Sequence, residues 1–377
     1  MRWLALQSVP ADVNLREALT QIEGRQLAAH KLPSWASADG LLFPPRLSLE
    51  QCSSEATARY KRLIAERVSV GRSLFVDLTA GLGVDFSQLA PLFEQAVYVD
   101  CNADLCALTR HNLPVLGLPH ADVRCADAIE ALAAIHDADL IMIDPARRDA
   151  SGHKVALIED CTPDVCAMQD ALCAASRRVL IKLSPMLDIA AALRALHHVA
   201  EVHVVSVSGE CKELLFVLDA EHAIAHPPIT CVNLPSPDAF VFTRDEETAA
   251  APVFAHSIGT FLYEPNASIL KAGAFRTLCH RYGVKKLSQD AHLYTADGLI
   301  DDFPGRTWQV VATSSFSKKA LRAFLADVPE ADITVRGFPL SVSSLRKQLH
   351  VREGGSNHLI ATTLYDGQRC LVKVKRV

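Results

Sequence analysis

Four acidic residues in the middle of the chain have the types and spacing to hold a ligand and act on it. Asp77 closes the run Leu74-Phe75-Val76-Asp77, and Leu78-Thr79-Ala80-Gly81-Leu82-Gly83 follows. Glycines four and six places after the acid let a strand turn into a helix with its backbone close to a ligand, because glycine adopts φ > 0 without a Cβ penalty. A dinucleotide fingerprint puts a third glycine at position 86, where Phe86 stands, so a pyrophosphate suits the loop poorly. The acid ahead of the turn suits a ligand with an amino-acid head, acting on its ammonium group through the loop or a water. Thr79, Ala80, Gly81 and Gly83 are the loop candidates beside Asp77.

Asp100 closes the next apolar run, 17 residues after Gly83, with Asn102 beside it. An acid at a strand's carboxyl end accepts hydrogen bonds from both hydroxyls of a ribose. Asp127 ends a third run and is placed to accept from an adenine amino group. Asp144 ends a fourth, in Ile143-Asp144-Pro145-Ala146-Arg147-Arg148. Pro145 stiffens the chain after the acid. A carboxylate there accepts from an exocyclic amine and orients its lone pair toward an electrophilic methyl. Arg147 and Arg148 can clamp a phosphate or carboxylate. Lys182-Leu183-Ser184-Pro185, after a fifth run, is a further stretch of pocket wall.

These residues need strand ends gathered along one edge of a sheet. From Ser73 to Ala220 the sequence supplies them. Apolar runs at Leu74–Asp77, Ala96–Asp100, Val123–Cys125, Leu140–Ile143 and Val179–Lys182 alternate with helical stretches, which predicts a parallel sheet. Val202–Val207 and Glu213–Leu218 follow with only a turn between them, so the last strand is expected to be antiparallel. Four regions result: an N-terminal helical region over 1–70, the alternating domain over 71–220, a linker and helical segment over 221–285 that is Pro-rich at first, and a module over 286–377. In the third, Asn266 is expected to cap a helix through Lys271. In the last, strands near Trp308–Val311, Ile333–Val335, Leu359–Thr363 and Cys370–Val374 surround two helices, with Asp366-Gly367 as a hairpin turn.

Composition narrows the classes. Of 377 residues, 50% are hydrophobic and 21% charged, which excludes a disordered chain. The net charge of -5 is unevenly spread: residues 280–377 hold 15 Lys+Arg against 9 Asp+Glu. A basic module on an acidic body points to an anionic partner. No apolar run reaches the ~18 residues of a membrane span. The eleven cysteines include no CxxC pair and no zinc spacing, so they are expected to be reduced core residues of a cytoplasmic protein, with no metal site.

With these motifs in place, residues 73–220 resemble a class I S-adenosylmethionine-dependent methyltransferase, through Asp77-Leu78-Thr79-Ala80-Gly81-Leu82-Gly83, Asp100, Asp127 and Asp144-Pro145. The whole chain is similar to bacterial methyltransferases with a C-terminal THUMP-like domain. Asp144-Pro145-Ala146-Arg147-Arg148, Tyr263-Glu264-Pro265-Asn266-Ala267 and Phe303-Pro304-Gly305-Arg306 carry that narrower likeness. The resemblance implies an α/β fold: a Rossmann-like seven-stranded methyltransferase sheet, an N-terminal helical region and a small C-terminal α+β THUMP-like domain. It implies S-adenosyl-L-methionine as cofactor. Asp77, Thr79, Ala80, Gly81 and Gly83 would face its methionine part, Asp100 and Asn102 the ribose, and Asp127 the adenine. Asp144, Pro145, Arg147 and Arg148 form the catalytic set. Methyltransferases of exocyclic base amines follow the Asp-Pro pair with a second proline and an aromatic. Ala146 and Arg147 stand there instead, with Arg147 able to stack in place of the ring.

THUMP domains belong to RNA-modifying enzymes, so the resemblance implies a structured RNA substrate, methylated at a base nitrogen. A small-molecule or protein methyltransferase, with the arginines on a substrate carboxylate, is the second reading. A non-catalytic RNA-binding protein with a retained cofactor site is the third.

Overall fold

The computed structural model describes residues 14–147, 157–222, 224–236 and 238–377. The chain divides into two compact units, Met1–Val207 with Lys212–Pro227, and Ser208–Cys211 with Pro228–Val377.

The first unit opens with four helices, Leu15–Lys31, Pro33–Ser37, Arg46–Gln51 and Glu55–Val68. Pro33 breaks the first helix as expected and starts the second, where its missing N–H costs nothing. Ser54 caps the fourth through the Thr57 N–H. Leu32, Trp35, Phe43, Leu49 and Ala58 pack with Leu82 and Val84 in one buried cluster. The helical region is therefore seated on the glycine loop. Each large side chain buried there contributes about 1.5–3 kcal/mol.

Seven strands follow: β1 (Leu74–Asp77), β2 (Gln95–Asp100), β3 (Asp122–Cys125), β4 (Leu140–Ile143), β5 (Arg178–Leu183), β6 (Val199–Val207) and β7 (Glu210–Asp219). Their order is β3-β2-β1-β4-β5-β7-β6. β1 through β5 pair in parallel, and β7 enters antiparallel beside β5, as the sequence predicts. All four residues of β4 are buried, which explains its unbroken apolar run: helices cover a parallel sheet on both faces. The order reverses between β1 and β4, which opens a crevice at their carboxyl ends.

In the second unit, β8 (Ile229–Leu234) and β9 (Ala239–Phe242) form an antiparallel pair. A seven-stranded sheet is built from β10 (Phe261–Pro265), β11 (Lys285–Lys286), β12 (Tyr294–Ala296), β13 (Gly305–Ser315), β14 (Asp332–Arg336), β15 (His358–Thr363) and β16 (Arg369–Arg376), in the order β11-β12-β10-β13-β16-β15-β14. The helices Lys318–Phe324 and Val342–Leu349 fall where the sequence puts them, and Gly367 makes the β15–β16 turn at φ 85°. The stretch 221–285 holds helices, Arg244–Ala249, Ala267–Ala272 and Phe275–Tyr282, as its sequence suggests, but also strands. It holds β8, β9 and β10, with Pro228 just before β8, Pro235 just after it and Pro265 at the end of β10. Asn266 stands at the start of the helix Ala267–Ala272, but its side chain makes no capping bond.

The cysteines also differ in part from expectation. All eleven are free, yet Cys101 and Cys125 are exposed, and only Cys106, Cys161, Cys231, Cys279 and Cys370 are fully buried. Among the described residues no helix is long and apolar enough to cross a membrane.

Candidate functional site

The loop after β1 is shaped by its own backbone. Gly81 and Gly83 take φ of 56° and 80°, in the left-handed region that side chains with a Cβ avoid. The Gly83 N–H donates to Ala80 O at 2.8 Å, and the Ala80 N–H donates to Val99 O of β2 at 2.9 Å. The Tyr98 hydroxyl donates a short bond to Gly81 O. Asp100 closes the arrangement: one carboxylate oxygen accepts from Gly81 N at 2.8 Å and the other from Asn102 N at 2.8 Å. A carboxylate offers about four lone-pair sites, so each oxygen keeps one for a vicinal diol. The residues present therefore fit the ribose of an adenosyl cofactor.

Asp77 fits its other end. The side chain is buried, 2% exposed, and accepts from Thr79 N at 3.2 Å. Burial pushes its carboxyl well above the usual carboxylate range, and Asp85 and Asp144 add to the rise. A ligand ammonium group placed near it would offset that cost. Asp127 lies beyond the β2 end, where Ala126 N donates to Asp100 O. Its exposed side chain caps the helix Ala128–Leu132 through the Ile129 N–H, and one oxygen remains for a ligand. Asn102 likewise spends its side-chain oxygen as a cap, on Asp104 N and Leu105 N.

Asp144 sits across the crevice. Its N–H donates to Thr79 Oγ1 at 2.7 Å, tying the β4 loop to the glycine loop. Its carboxylate is engaged: Lys182 of β5 holds Asp144 Oδ2 in a short ion pair. Pro145 is buried and Arg147 half-buried. Arg148 lies outside the described residues.

Behind this pair runs a row of buried charges that the sequence reading missed. Lys182 Nζ lies 4.0 Å from Asp85 Oδ2, and Asp85 Oδ1 lies 3.0 Å from Lys61 Nζ. Ser53 donates to Asp85 at 2.6 Å, and Lys61, wholly buried, reaches Glu213 at 2.7 Å. Burial works against the Lys182 charge, but Asp144, Asp85 and Glu213 outweigh it and raise its pKa above the usual lysine value. Lys61 and Glu213 are separated by 152 residues, so no local spacing marks them.

One cluster lies elsewhere. Asp219, Glu221 and His222 bring ligand atoms within 4.8 Å of one another at the far end of β7 from Glu213. Asp219 there already holds Arg178 at 2.8 Å.

Residues 305–375 match the THUMP domain-like family, and residues 261–304 match a ferredoxin-like domain. The crystal structure of a provisionally named methyltransferase from Porphyromonas gingivalis W83 is 36% identical in sequence. It superposes with a TM-score of 0.89, over 100% of this chain and 96% of that one. Uncharacterized S-adenosylmethionine-dependent methyltransferases of two Mycobacterium tuberculosis strains are 27% identical over 308 residues, covering 81% of this chain and 80% of theirs.

Proposed function

The chain belongs to the family of S-adenosylmethionine-dependent methyltransferases with a C-terminal THUMP-like domain, and from that premise we propose that its substrate is structured RNA. The observation that carries this reading is the distribution of cations on the THUMP-like module. Lys318, Lys319 and Arg322 are exposed on the helix Lys318–Phe324, and Arg369 lies beside its start, where Phe316 N donates to Arg369 O. Lys375 and Arg376 are exposed at the end of β16. None of these six has an acidic partner among the described ion pairs. Free surface cations suit phosphates, which are contacted without regard to base sequence.

In this reading S-adenosylmethionine supplies an electrophilic methyl on a sulfonium. The chain's own residues bind and orient. Asp100 accepts from the ribose hydroxyls, Asp77 compensates the methionine ammonium group, and Asp127 reads the adenine edge. Thr79 fixes the β4 loop so that Asp144 meets the acceptor, and Arg147 lies on the substrate side. In-line positioning supplies most of the acceleration such a transfer needs.

The test uses methyl-labelled cofactor and total RNA from a strain lacking the gene. Label sensitive to ribonuclease, with binding that weakens steeply as salt rises, supports the reading. Label that survives ribonuclease and appears in protein or small molecules refutes it. Asp144→Ala is expected to abolish transfer while cofactor binding, measured by calorimetry, persists.

A further inference from the structure

Two ion pairs in the buried row differ in one respect. Lys61 and Glu213 keep 0% and 3% of their side-chain surface, whereas Lys182 and Asp144 keep 14% and 36%. The first pair is sealed and the second opens on the crevice. A visitor at the carboxyl ends of β4 and β5 therefore meets a hydrogen-bond donor and an acceptor side by side.

From this geometry, and resting on the RNA reading above, we propose that the acceptor is a hydroxyl, the 2′-hydroxyl of an RNA ribose, with Lys182 and Asp144 as the catalytic pair. A base nitrogen, the acceptor expected from the sequence, fits the pair poorly. An amine gains positive charge as it takes a methyl, and an ammonium held against it opposes that charge. A hydroxyl has the opposite need. It must shed a proton as it attacks, and its oxygen gains negative character that an ammonium stabilises. It is also donor and acceptor at once, so it donates to Asp144 and accepts from Lys182.

The bonds balance as follows. The ribose oxygen forms a bond to the methyl carbon while the carbon–sulfur bond breaks. That electron pair returns to sulfur, and the sulfonium becomes a neutral thioether. The hydroxyl proton passes to the Asp144 carboxylate and then to water. The rest of the row keeps the pair in place. Asp85 stands between Lys182 and Lys61, and Glu213 anchors Lys61, so Lys182 stays charged and aimed. The residues after Pro145 agree. Arg147 stands where methyltransferases of exocyclic base amines carry an aromatic, so no aromatic ring follows the acid.

Alkali distinguishes the two acceptors. Alkaline cleavage of RNA uses the 2′-hydroxyl as nucleophile, so a methyl on that oxygen protects the adjoining phosphodiester. Total RNA from a strain lacking the gene is methylated with labelled cofactor and then hydrolysed in alkali. The expected result is label in alkali-resistant dinucleotides. Label in mononucleotides, on the base, overturns the hydroxyl acceptor and leaves the RNA reading intact. No ribonuclease-sensitive label from a protein that binds its cofactor overturns both. Lys182→Met is expected to lower the rate about 100-fold or more with cofactor affinity unchanged. An undiminished rate overturns the role of Lys182. The position of the label decides the acceptor even if that variant does not fold.

Discussion

Replacing Lys61 with methionine asks whether the buried charges behave as a coupled row. The lysine side chain is fully enclosed, and its partners Glu213 and Asp85 keep 3% and 11% of their side-chain surface. Methionine fills much of the same volume but leaves two carboxylates without their cation. Removing one partner of a buried pair costs about 3–5 kcal/mol, because the other charge stays in the interior uncompensated. Asp85 retains Ser53 at 2.6 Å and Lys182 at 4.0 Å, so most of the loss falls on Glu213. The lower part of the range is therefore expected, about 3–4 kcal/mol. For a unit of this size that lowers Tm by about 6–16 °C. Urea and thermal unfolding, followed by circular dichroism, measure both. A Lys61→Met/Glu213→Leu double variant removes the stranded charge and is expected to regain about half of the loss. A single variant that loses less than about 1 kcal/mol, the worth of an exposed pair, refutes the reasoning.

Three further outcomes are expected. Asp77→Asn weakens cofactor binding, yet stabilises the ligand-free protein at neutral pH. A carboxyl whose folded pKa is raised stabilises the fold below its unfolded pKa and loses that contribution as pH rises through the folded value, so the gain in Asn should grow with pH above ~4. Thermal melts across pH and calorimetry check the two signs; a destabilised variant at pH 8 contradicts them. Asp100→Ala removes the acceptor of Gly81 N and Asn102 N as well as the ribose contact, and cofactor affinity should fall by about 10- to 100-fold. Reversing Lys318, Lys319 and Arg369 to glutamate should lower the slope of log binding against log salt by about 2–3, read by filter binding over a salt series.

The fold of the first unit was legible because its signals are local. Strand runs, helix caps and the glycine turn are each set within a few residues, and β1 to β5 appear where the alternation puts them. The stretch 221–285 was harder to read. Its prolines and short strands carry no clean period, and only pairing across a sheet makes β10 a strand. Exposed Cys101 and Cys125 show the same limit, since burial belongs to the packed chain.

The sequence by itself determined where the acid-bearing strand ends would be. Acids that end apolar runs, and a loop only glycine can make, follow from backbone sterics and the period of a parallel sheet. The tertiary structure alone decided which charges surround Asp144. Lys61, Asp85, Lys182 and Glu213 come from four separate elements, the helices Glu55–Val68 and Val84–Leu89 and the strands β5 and β7, and meet only when these pack together. Electrostatic interaction in a dry interior depends on distances of 3 to 4 Å, and spacing along the chain does not encode such distances between residues far apart in sequence.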